Sequence, residues 1–301
     1  VLPLAWSIFE AATGDRTVDE FESTHILIEA IRLAMADRDA YFGDGSTCVD
    51  ALLAHEYIRT RASSVTQHAA LFDEPGLAFG LSPWRPPHRD VDSPLSQSPW
   101  AMERLGFGDT CHISILDQHG NAVSLTASGG WLQSSPVIGE LGFALSTRLQ
   151  QAWLDPQSPS SLAPGKRPRV TLTPTIVLQG EEPVLSLGSP GGDGQDQWQL
   201  QAIVRMLRLG YSPARAVEDP AFQSLSFNNS FWPREKVPRG VLVEADSPEP
   251  LINDLRNRGH RLFLVPANTL GRLSIASRDP LTTTVQSAVS PRSGYAAATV
   301  V

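Results

Sequence analysis

Three side chains that can take part in nucleophilic chemistry stand next to one another at Thr110, Cys111 and His112. A threonine hydroxyl is a poor nucleophile unless a base lies beside it. One such base is the threonine's own α-amino group, once the preceding peptide bond has been cut. Cys111 is intrinsically the more reactive side chain, and His112 beside it makes a cysteine nucleophile the alternative. The segment therefore predicts covalent acyl chemistry at Thr110 or Cys111.

The residues that follow Thr110 alternate between apolar and polar types on both sides of a turn at 118–121. The apolar members are Ile113, Ile115, Val123 and Leu125. This pattern is typical of two antiparallel strands joined by a Gly/Asn turn, so Thr110 is expected at the start of a strand. Neighbouring side chains of a strand point to opposite faces, and Cys111 and His112 should therefore not meet.

A second glycine-rich segment, residues 188–194, lies between a predicted strand at 184–187 and a predicted helix at 195–209. Gly191 and Gly192 in this turn can direct backbone N–H groups to one point, which suits an oxyanion. The alternative is that the two glycines simply permit a tight bend. The turn has neither the P-loop pattern nor the dinucleotide-binding pattern, so it does not predict nucleotide binding.

The composition indicates a folded globular protein, because 41% of the 301 residues are hydrophobic and 19% are charged. The net charge of −8 and the lack of a basic run argue against nucleic acid as a partner. No apolar run is long enough to predict a membrane span, and the first residues show no signal peptide. A single disulfide between Cys48 and Cys111 stays possible. The spacing of the cysteines and histidines does not match that of metal ligands. No metal and no cofactor are expected.

The rest of the chain alternates between helical and strand patterns. The proline-rich stretch at 73–99 is predicted to be a linker or an exposed loop. Further helices are predicted at 18–42, 48–62, 213–219 and 248–258, and further strands at 173–178, 241–245, 261–265, 272–277 and 294–300.

Short segments along the chain resemble motifs of the γ-glutamyltranspeptidases, in the same order. The run Thr-Cys-His-Ile-Ser at 110–114, followed by Gly-Asn-Ala-Val at 120–123, resembles the start of the family's small subunit. Lys-Arg-Pro at 166–168, continued by Thr171 and Pro174-Thr175, resembles its Lys-Arg-Pro segment, and residues 188–192 match its Gly-Ser-Pro-Gly-Gly. Residues within 25–44 resemble the end of the large subunit, and 290–292 the closing Asp-Pro-Arg motif.

The resemblance implies an N-terminal-nucleophile hydrolase of the α+β class, an αββα sandwich of two stacked, mainly antiparallel sheets between helix layers. Residues 1–109 would be the end of a large-subunit-like segment and 110–301 a small-subunit-like catalytic segment, together forming one composite domain. Cleavage after Asp109 would free Thr110, and the two fragments would stay associated. The resemblance also suggests export to the periplasm or the medium, although a cytoplasmic location stays open, as does a homo-oligomer.

The resemblance also implies roles for individual residues. Thr110 would form an acyl-enzyme that is resolved by water or an amine. Ser128 takes the place of the family's threonine that hydrogen-bonds the nucleophile, although it could be a turn residue only. Gly191 and Gly192 would supply the N–H groups of the oxyanion hole.

Several departures from the family pattern fall where the donor binds. Gly130 replaces a donor-binding asparagine, and the family's donor-binding Gln and Asp fall on Leu149 and Ala152. Of the two positions that carry paired serines in the family, only one still has a hydroxyl side chain here, at Thr171. A methyl group at Ala152 cannot pair with an α-ammonium group. The acyl donor, a small-molecule amide or a peptide-like compound, is therefore expected to differ from a γ-glutamyl compound.

The residues expected to line the donor pocket are Gly130, Trp131, Gln133, Arg148, Trp153, Arg169 and Thr171. For the two tryptophans, ordinary core packing is the equal alternative. The competing hypothesis belongs to a different class of function. It is that the chain is an unprocessed or inactive relative that acts as a binding or structural protein.

Overall fold

The computed structural model describes residues 1–45, 48–78, 80–94, 110–129, 135–292 and 296–300. The helices of these ranges are α1 (Leu2–Thr13), α2 (Glu20–Tyr41), α3 (Val49–Leu52), α4 (His55–Ala62), α5 (Gly194–Leu207), α6 (Pro213–Glu218) and α7 (Glu249–Asn257). The strands are β1 (Cys111–Leu116), β2 (Ala122–Ala127), β3 (Val137–Ile138), β4 (Phe143–Ala144), β5 (Thr175–Gln179), β6 (Glu182–Gly188), β7 (Phe222–Ser224), β8 (Gly240–Glu244), β9 (Arg261–Val265), β10 (Ser274–Arg278) and β11 (Val285–Val289). A 3-10 turn covers Arg148–Gln151.

The long helix α2 is the centre of the helical layer and is buried on nearly every side from Ile26 to Tyr41. Asp19 caps its start by accepting a hydrogen bond from the Glu22 N–H at 2.8 Å. Helix α1 packs against α2, α4 and α5, which ties the chain before Thr110 to the chain after it. A single cluster of buried apolar residues runs through these helices and into strands β6, β8 and β10.

Two sheets stack to form the β layers. Strands β5, β6, β10 and β11 make an antiparallel sheet in the order β11-β10-β6-β5, and the β1–β2 hairpin lies across β6 and β10. On its other face this sheet packs against α5 and α6. A third sheet joins β7 and β8 antiparallel and β8 and β9 parallel.

The hairpin is attached to the sheet below it by polar contacts. Ser124 Oγ donates to the Leu187 carbonyl at 3.0 Å, and Ser186 Oγ donates to the Val123 carbonyl at 2.6 Å. The apolar residues of the hairpin face the other way and are about half exposed: Ile113, Ile115, Val123 and Leu125. Hydrogen bonds, more than apolar packing, therefore fix the hairpin to the sheet.

Most predicted elements agree with the structure to within a few residues, but two do not, and α1, β3, β4, β7 and β11 were not predicted. The helix predicted at 48–62 is two helices, because Ala54 is extended (φ −60°, ψ 136°) and separates α3 from α4. The prediction of a strand at 294–300 is wrong for the described residues 296–300, which are irregular. The last strand is instead β11, whose short and weakly apolar sequence is held by pairing with β10.

The proline-rich stretch is irregular over the described residues 73–78 and 80–94, apart from a bridge between Asp90 and Lys236. It is not simply exposed, however, because Ala78 and Trp84 are buried. No helix in the described ranges is long and apolar enough to span a membrane.

Candidate active site

Thr110 and Ser128 meet where the two strands of the hairpin begin and end. Thr110 directly precedes β1 and Ser128 directly follows β2, and the strand register pairs Cys111 with Ala127. This register sets Thr110 and Ser128 opposite each other, with their hydroxyl oxygens 2.7 Å apart. That distance is typical of a hydrogen bond between two hydroxyl groups. Thr110 is half-buried, so its oxygen is both held and reachable.

Cys111 and His112 lie on opposite faces of β1, as the strand alternation predicted. Cys111 is exposed and Cys48 is buried, and the two do not form a disulfide. His112 points toward the sheet, where Nδ1 lies 2.8 Å from Thr126 Oγ1 and Nε2 lies 2.7 Å from Ser114 Oγ. A Cys–His pair is therefore not formed.

The imidazole of His112 is suited to holding strands together, not to accepting protons from a nucleophile. Burial lowers its pKa to about 4, so the ring is neutral near pH 7. It also rests directly on the sheet, since a Cβ added to Gly188 would lie 2.2 Å from His112 Cε1. Strand β6 thus ends at Gly188 directly beneath the part of the hairpin that carries Thr110.

Arg148 is the charged residue that the structure brings to this pair of hydroxyls. It is the first residue of the 3-10 turn, it is 9% exposed, and its Nη2 atom donates to Ser128 Oγ at 3.2 Å. Gly129 leaves room for it, because a Cβ at that position would lie 3.0 Å from Arg148 Nε. Thr110, Ser128 and Arg148 therefore form one continuous hydrogen-bonded group.

Gly191 and Gly192 form the tight turn between β6 and α5. Their φ angles are +121° and +55°, which favour glycine. A Cβ on Gly191 would also lie 2.2 Å from the Trp198 ring. The Gly194 N–H donates to the Gly191 carbonyl at 2.9 Å, which closes the turn at the start of the helix.

The turn is fixed by Asp193, the residue that follows the two glycines. Its carboxylate accepts hydrogen bonds from Arg38 Nη1, the Ser230 N–H and Ser230 Oγ, each at 2.6 Å. Burial opposes ionisation of Asp193, but Arg38, Arg169 and the two hydrogen bonds from Ser230 together outweigh it and hold the pKa of Asp193 below its ordinary value. The glycine turn is thereby tied to helix α2, which carries Arg38.

Arg169 and Thr171 line a separate cavity of about 380 Å³, together with Arg38 and Asp196. Arg169 Nη1 donates to Ser230 Oγ at 3.1 Å, so Arg169 contacts the serine that also holds Asp193. Burial, and then the nearby Arg38, lower the pKa of Arg169 to about 10. Arg169 is therefore linked to the glycine turn through Ser230, and Thr171 shares its cavity, whereas Arg148 neighbours the hydroxyl pair.

The other predicted pocket residues divide into two groups. Asp109, Gly130, Trp131 and Gln133 lie outside the described residues. Trp153 has a packing role, with its ring 5.0 Å from the Trp84 ring and 4.0 Å from the Arg234 guanidinium carbon. For Trp153 the packing alternative is thus the one that the structure supports.

Sequence reasoning missed Arg38, Asp193 and Ser230 as supports of the site. Arg38 was placed at the end of a helix, and the structure buries it 155 residues away in sequence from its partner Asp193. No local signal marked these residues, because charged and polar side chains in a helix or a turn are usually exposed.

Comparison with known proteins places these observations in a family. The family model described as Gamma-glutamyltranspeptidase matches residues 3–300. The glutathione hydrolase proenzyme of Bacillus subtilis subsp. natto is 27% identical and aligns with 87% of this chain and 42% of its own length. The oxamate amidohydrolase proenzyme of Klebsiella pneumoniae is 27% identical, over 93% of this chain and 48% of its own. The chain thus spans about half the length of these relatives.

Solved structures agree on the fold. LmbA2991HD superposes with a TM-score of 0.85 at 38% identity, over 97% of this chain and 50% of that one. A cephalosporin acylase from Bacillus halodurans superposes with a TM-score of 0.72 at 24% identity, over 97% of this chain and 48% of that one. The predicted α+β fold of stacked, mainly antiparallel sheets, of the N-terminal-nucleophile type, is confirmed.

Proposed function

Since this chain belongs to the gamma-glutamyltranspeptidase family, we propose that it forms the catalytic part of a self-cleaving amide hydrolase or acyltransferase with Thr110 as nucleophile. The observation that carries this proposal is the 2.7 Å contact between Thr110 Oγ1 and Ser128 Oγ at the paired ends of β1 and β2. The hydroxyl of Thr110 lies directly before the first residue of β1, where cleavage after Asp109 would add the missing base, the α-amino group.

In the cleaved protein, the α-amino nitrogen of Thr110 takes the proton of its own hydroxyl as Oγ1 attacks the amide carbon of the donor. The N–H groups of Gly191 and Gly192 stabilise the oxyanion that forms on the carbonyl. The amide C–N bond then breaks, and the leaving amine receives the proton from the α-ammonium group. Water or a second amine attacks the resulting ester and releases the acyl group from Thr110.

We propose further that residues 1–109 and 110–301 are one composite domain whose fragments stay together after cleavage. The support is the shared core, in which α1 packs against α5 while α2 packs against β7 and α7, so that elements before and after the cleavage point are in contact. Separation of the fragments would expose this apolar contact to water, which is unfavourable.

The acyl donor of this proposal lacks an α-ammonium group. Ala152 and Leu149 stand at the positions that the family uses to bind the γ-glutamyl head group, and Leu149 is exposed. The Ala152 carbonyl already accepts a hydrogen bond from Arg234 at 2.8 Å, and its side chain is a methyl group. The matched oxamate amidohydrolase, whose named substrate has no α-amino group, is consistent with such a donor.

Two experiments test the proposal. A denaturing gel with N-terminal sequencing of the full-length protein should show a fragment that begins at Thr110, and Thr110→Ala should stay intact while Cys111→Ala is still cleaved. A single intact band for every variant would instead favour the unprocessed binding protein. Assay of γ-glutamyl-p-nitroanilide beside simple acyl anilides should show preference for the latter, and efficient γ-glutamyl turnover would refute the donor class.

A further inference from the structure

Arg148 contacts the hydroxyl that contacts the nucleophile, and the reaction described above assigns it no step. Its Nη2 atom is 3.2 Å from Ser128 Oγ, and Ser128 Oγ is 2.7 Å from Thr110 Oγ1. A guanidinium group can only donate hydrogen bonds, so it occupies a lone pair of the Ser128 oxygen. A hydroxyl that accepts from a cation becomes a poorer acceptor and a stronger donor.

We propose that Arg148 is a positioning residue for the nucleophile, which acts through Ser128 by orienting the Ser128 hydroxyl hydrogen toward Thr110 Oγ1. This inference rests on the proposed function of Thr110. In this arrangement Ser128 donates to the oxygen that loses its proton, and the positive charge of Arg148 stabilises the negative charge that develops there. The Thr110 hydroxyl hydrogen is then left to point to the α-amino group that takes it.

The residues around Arg148 hold its backbone in place and leave room for its guanidinium group beside Ser128. It begins a 3-10 turn whose backbone is closed by the Gln150 N–H donating to the Thr147 carbonyl at 3.2 Å. Its own N–H lies 3.3 Å from Ser146 Oγ. The glycine at 129, with φ +77°, lets the guanidinium pass close to the backbone just after Ser128. A side chain there would displace the cation from the hydroxyl.

The charge of Arg148 also bears on the base. The two hydrogen bonds in series place the guanidinium roughly 6 Å or less from Thr110 Oγ1, and therefore near the α-amino group of the cleaved protein. A nearby cation disfavours protonation of an amine, so it lowers the pKa of that amine. Removal of Arg148 should therefore move the acidic limb of the kcat profile to higher pH, by about half to one pH unit.

The test compares Arg148→Met and Arg148→Lys, each in the wild-type and in the Ser128→Ala background of the full-length protein. Arg148→Met should lower kcat about ten- to hundred-fold with little change in KM, as expected for loss of one hydrogen bond to a charged donor. Arg148→Lys keeps the charge and should recover part of this loss and the wild-type pH profile. In the Ser128→Ala background, Arg148→Met should lower kcat by less than about two-fold relative to Ser128→Ala alone.

A matched control separates positioning from folding. Arg278 is also a largely buried arginine, with a side chain that is 8% exposed and pairs with Glu182 at 3.1 Å. It lies on β10, outside the group of Thr110, Ser128 and Arg148. Arg278→Met should therefore leave the rate of self-cleavage and the pH profile of kcat unchanged. If Arg148→Met does not fold, the comparison of Arg148→Lys with wild type carries the test.

Three outcomes would overturn the inference. If Arg148→Met lowers kcat by the same factor in the wild-type and Ser128→Ala backgrounds, Arg148 does not act through Ser128. A raised KM with unchanged kcat means that it binds the donor directly. If Arg148→Met cleaves itself and turns over substrate normally, Arg148 has no role in positioning, while the proposal that Thr110 is the nucleophile stands. If instead the wild-type protein and Thr110→Ala behave alike, the proposed function itself fails.

Discussion

Gly188→Ala is the substitution that most directly tests how the hairpin is held on the sheet. Gly188 is the last residue of β6, and the added Cβ would lie 2.2 Å from Cε1 and 2.4 Å from Nδ1 of His112. Carbon and nitrogen atoms that are not bonded require more than 3 Å, so either the ring or the backbone has to move by about 1 Å. The ring cannot move freely, because both of its nitrogens are hydrogen-bonded within the hairpin.

The expected magnitude follows from these contacts. Overpacking of a well-packed site costs about 1–3 kcal/mol. Displacement of the His112 ring would also break two hydrogen bonds of about 1 kcal/mol each. Gly188→Ala should therefore lower the free energy of unfolding by about 3–5 kcal/mol, measured as a shift of the urea midpoint at constant m value. Self-cleavage should slow as well, since the hairpin carries Thr110.

The matched control is Gly139→Ala, because a Cβ at Gly139 would meet no described atom within 4 Å. This variant should unfold within about 0.5 kcal/mol of wild type. The decisive comparison is a double-mutant cycle, in which Gly188→Ala should cost less than about 1 kcal/mol once His112→Ala has made room. An equal cost in both backgrounds, or no cost in either, would refute the close contact between the layers as the cause.

Two further predictions concern buried charged and titratable pairs. Arg292 contacts Glu244 through Nε at 3.0 Å, with both side chains almost fully buried, so Arg292→Met should destabilise the protein by about 3–5 kcal/mol in urea unfolding, and a change below 1 kcal/mol would contradict this. His25 Nδ1 lies 2.8 Å from His260 Nε2, and burial lowers the pKa of His260 to about 3. Because the unfolded chain then binds more protons between pH 6.5 and about 3, stability should fall as the pH drops through this range, by on the order of 1.4 kcal/mol per pH unit. His260→Gln should flatten that slope, and an unchanged slope would refute the assignment.

The elements that could be predicted from sequence are those whose pattern is local. The alternation around the turn at 118–121 predicted the hairpin, and the helical pattern over 18–42 predicted the long helix α2. The pattern could not predict that Ile113 and its apolar partners face outward while the serines face the sheet. Which face of a strand is buried depends on the element that covers it, and that element is far away in sequence.

The supports of the site could not be predicted for the same reason. Arg38 and Asp193 meet across 155 residues, and Ser230 joins them from a third segment. Each of these residues reads locally as an ordinary surface polar group, since charged residues are usually exposed. Only the packing of α2 against the start of α5 makes their burial, and their pairing, necessary.

The reaction could be inferred with more detail than the donor because the two depend on different parts of the fold. Thr110 and Ser128 are set opposite each other by the β1–β2 register, and a slip of one residue would turn every side chain of a strand to the other face. Arg169 and Thr171, in contrast, lie in an irregular segment before β5 that no strand ladder fixes. If Arg169 and Thr171 bind the donor as predicted, changes there would alter what the pocket binds without disturbing the hydroxyl pair. A chain can therefore keep the family's nucleophile frame while its donor residues diverge, which is the combination that we propose for this chain.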